Sequence, residues 1–90
     1  MKQFHLIISG DVQGLGYRAW MRREAQRLGI TGWVKNRQDG AVEAVIQGEE
    51  EDVKKLIEKA KLGPDVSWVE KVDIQDMPVN ENLLDFQVLY

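Results

Sequence analysis

A glycine-rich segment that ends in an arginine is the part of this sequence best suited to chemistry. It covers residues 10–18, which are Gly10, Asp11, Val12, Gln13, Gly14, Leu15, Gly16, Tyr17 and Arg18. Glycine adopts positive φ angles without steric cost, so such a turn can bring successive N–H groups together in a concavity of phosphate size. The planar guanidinium of Arg18 can add two parallel hydrogen bonds to phosphate oxygens. We therefore predict an anion-binding loop.

Other interpretations of the glycines fit less well. Gly14, Gly16 and Ala19 match the loose dinucleotide-binding pattern, but no parallel βαβ repeat follows, and Asp39 belongs to a turn. The phosphate-binding pattern of P-loop proteins fails because no Gly-Lys-Ser/Thr follows the loop. A plain glycine-rich connection with a solvated arginine remains the alternative if the loop is considered alone.

Length and composition restrict the class of protein. Ninety residues form one domain, 1–90, because so short a chain cannot divide its core. The absence of cysteine excludes disulfides and a thiolate nucleophile, and a net charge of −3 argues against nucleic-acid binding. The apolar stretch over residues 4–8 is too short for a secretory segment or a membrane span. We expect a cytoplasmic monomer.

The pattern of apolar residues predicts two helices and five strands. Helix one is expected over Arg18–Leu28, and a second helix carries the stripe Val53, Leu56, Ile57 and Ala60. The predicted strands run from Phe4 to about Gly10 and over Ile30–Asn36, Ala41–Gln47, Val66–Ile74 and Asp85–Tyr90, with a possible bulge near Trp68. The order predicts an α+β, ferredoxin-like (split β-α-β) sandwich, with two helices on one face of an antiparallel sheet and an extra C-terminal strand.

This topology brings distant residues together. Strands one and two run in the same direction because helix one returns the chain between them by a crossover. The loop after strand one and Asn36, near the end of strand two, should therefore lie at the same edge of the sheet.

Two segments resemble the signatures of the acylphosphatase family. The first is Gly10-x-Val12-Gln13-Gly14-Leu15-Gly16-Tyr17-Arg18, and the second is Gly32-x-Val34-x-Asn36-x-x-Asp39-Gly40-x-Val42-Glu43. Their order and separation, the chain length and the ending Phe86–Tyr90 also fit, so the resemblance covers essentially the whole chain. One departure is Leu15, where the family usually has valine.

The resemblance implies an enzyme that hydrolyses acyl phosphates to a carboxylate and inorganic phosphate. It implies that Arg18 binds phosphate and that Asn36 orients the attacking water. The expected phosphate-binding residues are Val12, Gln13, Gly14, Leu15, Gly16, Tyr17 and Arg18. We expect no metal and no other cofactor, and a small-molecule acyl phosphate as partner, without nucleic acid or membrane.

Such a sparse site is chemically sufficient for this substrate class. When an acyl phosphate is hydrolysed, the leaving group is a carboxylate. Its conjugate acid has a pKa of about 4, so no general acid is needed. The leaving group of a phosphate monoester is an alkoxide, which needs a general acid to protonate it. We therefore predict weak or no monoesterase activity.

Other residues have simpler interpretations. His5 is mid-strand, and a structural role is favoured over a general base. Trp20, Trp33 and Trp68 are predicted to pack in the core. Arg22, Arg23 and Arg27 are predicted to form a mostly solvated helix face. The alternative function is a noncatalytic ferredoxin-like module that binds an anion or RNA.

Overall fold

The computed structural model describes residues 1–90 and contains five strands and two helices. In chain order they are β1 (Lys2–Asp11), α1 (Tyr17–Arg27), β2 (Thr31–Asn36), β3 (Val42–Gly48), α2 (Glu50–Leu62), β4 (Trp68–Met77) and β5 (Phe86–Leu89). The element order agrees with the prediction. The largest difference is in β4, which extends to Met77 because it remains paired with β1 up to Gln3. Neither helix has the length and apolar character needed to cross a membrane.

The strands form one sheet in the spatial order β4-β1-β3-β2-β5. Strands β1 to β4 pair only antiparallel, as the ferredoxin-like prediction requires. The extra strand β5 pairs parallel with β2, so the complete sheet is mixed. Since β3 lies between β1 and β2 and is antiparallel to both, β1 and β2 point in the same direction.

The core lies between the sheet and the two helices. Leu6, Ile8 and Val34 on the strands are fully buried and pack with Met21 of α1 and Leu56 of α2. Each such side chain contributes about 1.5–3 kcal/mol through burial. The predicted stripe of α2 is buried along its whole length, at Val53, Leu56, Ile57 and Ala60. This packing fixes the start of α1 beside the ends of β1 and β2.

A β-bulge bends the sheet next to the glycine-rich loop. Ser9 pairs with Lys71 and Gly10 with Val69, so Glu70 has no opposite residue. A Cβ at Gly10 would lie 2.2 Å from the carbonyl oxygen of Trp68, and the φ of Gly10 is 133°. Only glycine therefore permits the close strand contact here. The prediction of a bulge near Trp68 is confirmed.

A buried amide cluster holds the connection over residues 78–85 at the opposite end of the sheet. Gln47 Nε2 donates to the carbonyl oxygen of Asn80 (2.9 Å), and the Asn80 N–H donates to Gln47 Oε1 (2.8 Å). Gln3 Nε2 donates to the same Gln47 oxygen (2.9 Å). These bonds satisfy polar groups that would otherwise be costly to bury. They guide the chain from one edge of the sheet to the other, where β5 joins β2.

Candidate active site

Arg18 and Asn36 line one cleft of about 300 Å³. Arg18 is in the first turn of α1, and Asn36 is the last residue of β2. The other lining residues are Val12, Gly14, Gly16, Tyr17, Ala19, Arg22, Arg23, Gln26, Val88 and Tyr90. The cleft therefore lies at the edge of the sheet where β1 and β2 end, between α1 and β5.

The loop between β1 and α1 leaves its amides available. Gly14 and Gly16 have φ angles of 75° and 79°, in the left-handed region. A Cβ at either position would meet no atom within 4 Å, so the need for glycine here is conformational. Among the backbone hydrogen bonds of turns, loops and caps, none is donated by residues 12–19. Helix α1 also has no side-chain cap and no acidic residue in its first turn. Its positive end therefore faces the cleft without a counter-charge.

Arg18 is held by neutral groups. Its Nη1 donates to the carbonyl oxygen of Leu89 (3.4 Å), and its Cζ lies 4.9 Å from the ring centroid of Tyr90. Arg18 forms no salt bridge, although ten ion pairs occur elsewhere in the molecule. Because the ring and the carbonyl orient the guanidinium without neutralising it, its charge is available to an anion in the cleft.

The side-chain amide of Asn36 has no hydrogen-bond partner in the protein. The residue is half-buried, and its side chain forms no hydrogen bond with the protein, whereas the neighbouring Gln13 forms two. A carboxamide offers both donors and an acceptor. Asn36 can therefore bind a water molecule inside the cleft.

Gln13 and Leu15 do not line the cleft, unlike the other predicted phosphate-binding residues Val12, Gly14, Gly16, Tyr17 and Arg18. Gln13 Nε2 instead donates to the carbonyl oxygens of Arg37 (2.7 Å) and Ala41 (2.9 Å). The Gln13 side chain thus links the loop to the β2–β3 hairpin, and only its backbone can face an anion.

The Tyr17 hydroxyl also points away from the cleft. The side chain is buried, and its hydroxyl donates to the carbonyl oxygen of Ala60 in α2 (2.7 Å). Burial raises the pKa of the Tyr17 phenol well above its usual range, so the group stays neutral. Tyr17 therefore links α1 to α2, and it lines the cleft with atoms other than its hydroxyl.

Sequence reasoning missed six residues of the cleft, which are Ala19, Arg22, Arg23, Gln26, Val88 and Tyr90. The helical spacing of Arg18 and Arg22 was a usable signal, because residues four apart share a face. Arg22, Arg23 and Arg27 are all exposed, which confirms the prediction of a mostly solvated arginine face, and Arg22 and Arg23 also border the cleft. Arg27 lies outside the cleft and pairs with Glu24 (3.0 Å).

The remaining aromatic residues and His5 lie outside the cleft. His5 Nε2 lies 2.6 Å from Glu43 Oε2, which supports a structural role. Trp20 packs against the core and Trp33 is half-buried. The packing prediction is wrong for Trp68, which is 71% exposed because β4 is an edge strand.

Comparison with known proteins agrees with this architecture. The family model "Acylphosphatase" matches residues 4–88. An acylphosphatase from Thiobacillus denitrificans is 55% identical over 76 residues, which are 84% of this chain and 85% of the relative. The crystal structure of acylphosphatase from Bacillus subtilis superposes with a TM-score of 0.95 at 34% identity and covers all of both chains. An acylphosphatase structure from Coxiella burnetii gives a TM-score of 0.92 at 38% identity, over 98% of this chain and 92% of the other.

The fold and the site together define a ferredoxin-like sandwich with a cleft at the N-terminus of its first helix. The chain belongs to the acylphosphatase family.

Proposed function

We propose that the loop amides and Arg18 bind the phosphate of an acyl phosphate, and that Asn36 orients the attacking water. As a member of its family, the protein is an enzyme that hydrolyses acyl phosphates to a carboxylate and inorganic phosphate. The observation that supports these residue roles is the meeting of three groups at one cleft. They are an uncapped helix N-terminus, an arginine without an ion pair and an amide without a protein partner.

The proposed reaction is a single displacement. The water oxygen bonds to phosphorus as the bond from phosphorus to the acyl oxygen breaks, and the electron pair leaves on the carboxylate. The protons of the water go to solvent or to the phosphate product. Phosphoryl transfer passes through a loose transition state, so the protein mainly positions groups and stabilises charge on the equatorial oxygens.

The carboxylate leaving group determines the substrate class. A carboxylate needs no proton to leave, and no acidic side chain or histidine lines the cleft to supply one. The leaving group of a phosphate monoester is an alkoxide. We therefore expect monoesters to be hydrolysed far more slowly than acyl phosphates. Equal rates for a monoester and acetyl phosphate would contradict this step of the proposal.

The test is an assay of benzoyl phosphate in buffer containing EDTA. We expect hydrolysis that is inhibited competitively by inorganic phosphate. Absence of hydrolysis, combined with binding of a fluorescent single-stranded RNA, would favour the alternative of a noncatalytic module. The cytoplasmic location, the monomeric state and independence from metal stay predictions.

A further inference from the structure

Two arginines border the cleft beyond the phosphate loop. Arg22 and Arg23 are exposed and line the same cleft as Arg18. Arg22 follows Arg18 by four residues on the same helix, which places it about 6 Å further along the helix axis. Neither residue forms a salt bridge, whereas Arg27 on the next turn pairs with Glu24. The two free arginines thus extend the positive surface in one direction from Arg18.

No acidic side chain lines the cleft to balance them, although the protein carries a net charge of −3. The phosphate of a substrate would be bound by Arg18 and the loop amides, which leaves the charges of Arg22 and Arg23 uncompensated. A second anionic group placed beside them would therefore be attracted.

The cleft can hold an acyl group that connects a phosphate at Arg18 with a second anionic group at Arg22 and Arg23. Ala19 separates the arginines on the helix surface and takes little space, whereas Val88 and Tyr90 supply an apolar wall on the side of β5. An acyl group can pack along this wall while its far end reaches the next turn of α1. Gln26 lines the cleft one turn beyond Arg22 on α1.

We propose that the cleft selects acyl phosphates whose acyl group carries a second negative charge at its far end. Arg22 and Arg23 bind that second anion, either a carboxylate or another phosphate. This inference rests on the proposed function, because it assumes that the phosphoryl group binds at Arg18.

The experiment compares two rigid substrates, 4-carboxybenzoyl phosphate and 4-methylbenzoyl phosphate, which have similar size and cannot cyclise. We expect the wild-type protein to prefer the carboxylated compound about three- to tenfold in kcat/KM, as suits a partly exposed ion pair. We expect the double variant Arg22→Gln/Arg23→Gln to lose this preference. Thermal unfolding verifies that the variant is folded.

Arg27→Gln is the matched control, because it removes the same charge from the same helix outside the cleft. It should retain the wild-type preference. An unchanged preference in the double variant, or an equal loss in Arg27→Gln, would overturn the inference and leave the proposed function intact. Failure of the wild-type protein to hydrolyse either compound would contradict the proposed function itself.

Discussion

The side-chain nitrogen of Gln13 lies 2.7 Å from the carbonyl oxygen of Arg37, so a direct hydrogen bond joins the glycine-rich loop to the residue that follows β2. The same nitrogen donates to Ala41 across the hairpin (2.9 Å). Arg37 immediately follows Asn36 in the chain. Gln13 is therefore well placed to set the distance between the Asn36 amide, which is proposed to bind water, and the glycine-rich loop.

Gln13→Leu should lower turnover more than phosphate binding. The substitution removes both hydrogen bonds, and small misplacements of a positioned group can cost up to about 100-fold in rate. We expect kcat to fall about tenfold while the inhibition constant of inorganic phosphate changes less than about twofold. Steady-state kinetics with benzoyl phosphate measures both quantities. Gln38→Leu is the control, because Gln38 is exposed in the same hairpin. A rise in the phosphate inhibition constant that matches the fall in kcat would argue against a positioning role.

Arg18→Ala should abolish most of the activity without unfolding the protein. The guanidinium makes only one long hydrogen bond, 3.4 Å to Leu89, and no ion pair, so little folding free energy depends on it. Its loss should cost about 3 kcal/mol or more of transition-state stabilisation, which is at least about 100-fold in kcat/KM. Arg18→Lys should be intermediate, since lysine keeps the charge but not the bidentate geometry. A folded Arg18→Ala protein with near-normal activity would eliminate the proposed role.

Asn36→Ala should separate catalysis from phosphate binding. If Asn36 orients water and does not bind phosphate, kcat should fall at least about tenfold while inorganic phosphate inhibits as before. Competitive inhibition at several substrate concentrations gives the two constants independently. Loss of phosphate affinity comparable to that of Arg18→Ala would assign Asn36 to phosphate binding instead.

The sequence allows prediction of the centre of this site but not of its borders. The glycines of the loop and Arg18 follow from turn chemistry, and the parallel direction of β1 and β2 places Asn36 beside them. The role expected for Asn36 comes from the family resemblance. Tyr90 enters the cleft only because β5 pairs with β2, and that pairing depends on long-range contacts such as Gln47 with Asn80. The direction of a side chain within the loop is equally hard to predict. The local sequence pattern does not show that the side-chain amide of Gln13 bonds to the hairpin, so that only its backbone can face the cleft.

Tyr17→Phe should destabilise the protein by about 1–2 kcal/mol. In a continuing helix, the carbonyl of Ala60 would accept from residue 64, but Pro64 has no N–H. The Tyr17 hydroxyl takes the place of this missing donor (2.7 Å). Urea denaturation measures the change, and Tyr90→Phe, at an exposed hydroxyl, should alter stability by less than about 0.5 kcal/mol. Equal effects of the two substitutions would show that the bond to Ala60 adds nothing to stability.

Glu24 should make a small, pH-dependent contribution to stability. Its carboxylate lies 3.0 Å from Arg27 of the same helix and 3.3 Å from Lys59 of α2. Hydrogen bonding to Arg27 is the main reason that the pKa of Glu24 is below its ordinary value of 4.5. Because the folded protein binds this proton less tightly than the unfolded chain, the contribution is fully present above pH 4.5 and is lost as pH falls through the lower, folded-state pKa.

Glu24→Gln should therefore lower the free energy of unfolding by about 0.5 kcal/mol at pH 7, a size typical of exposed ion pairs. The difference from the wild-type protein should shrink as pH falls below 4.5, and added salt should reduce it at pH 7. Urea denaturation across this pH range measures the effect. Glu70→Gln is the control, since Glu70 is exposed at the bulge of β4 and has no salt bridge. A Glu24→Gln difference that stays constant from pH 7 to pH 3 would mean that packing, and not the charge on the carboxylate, stabilises the contact between the helices.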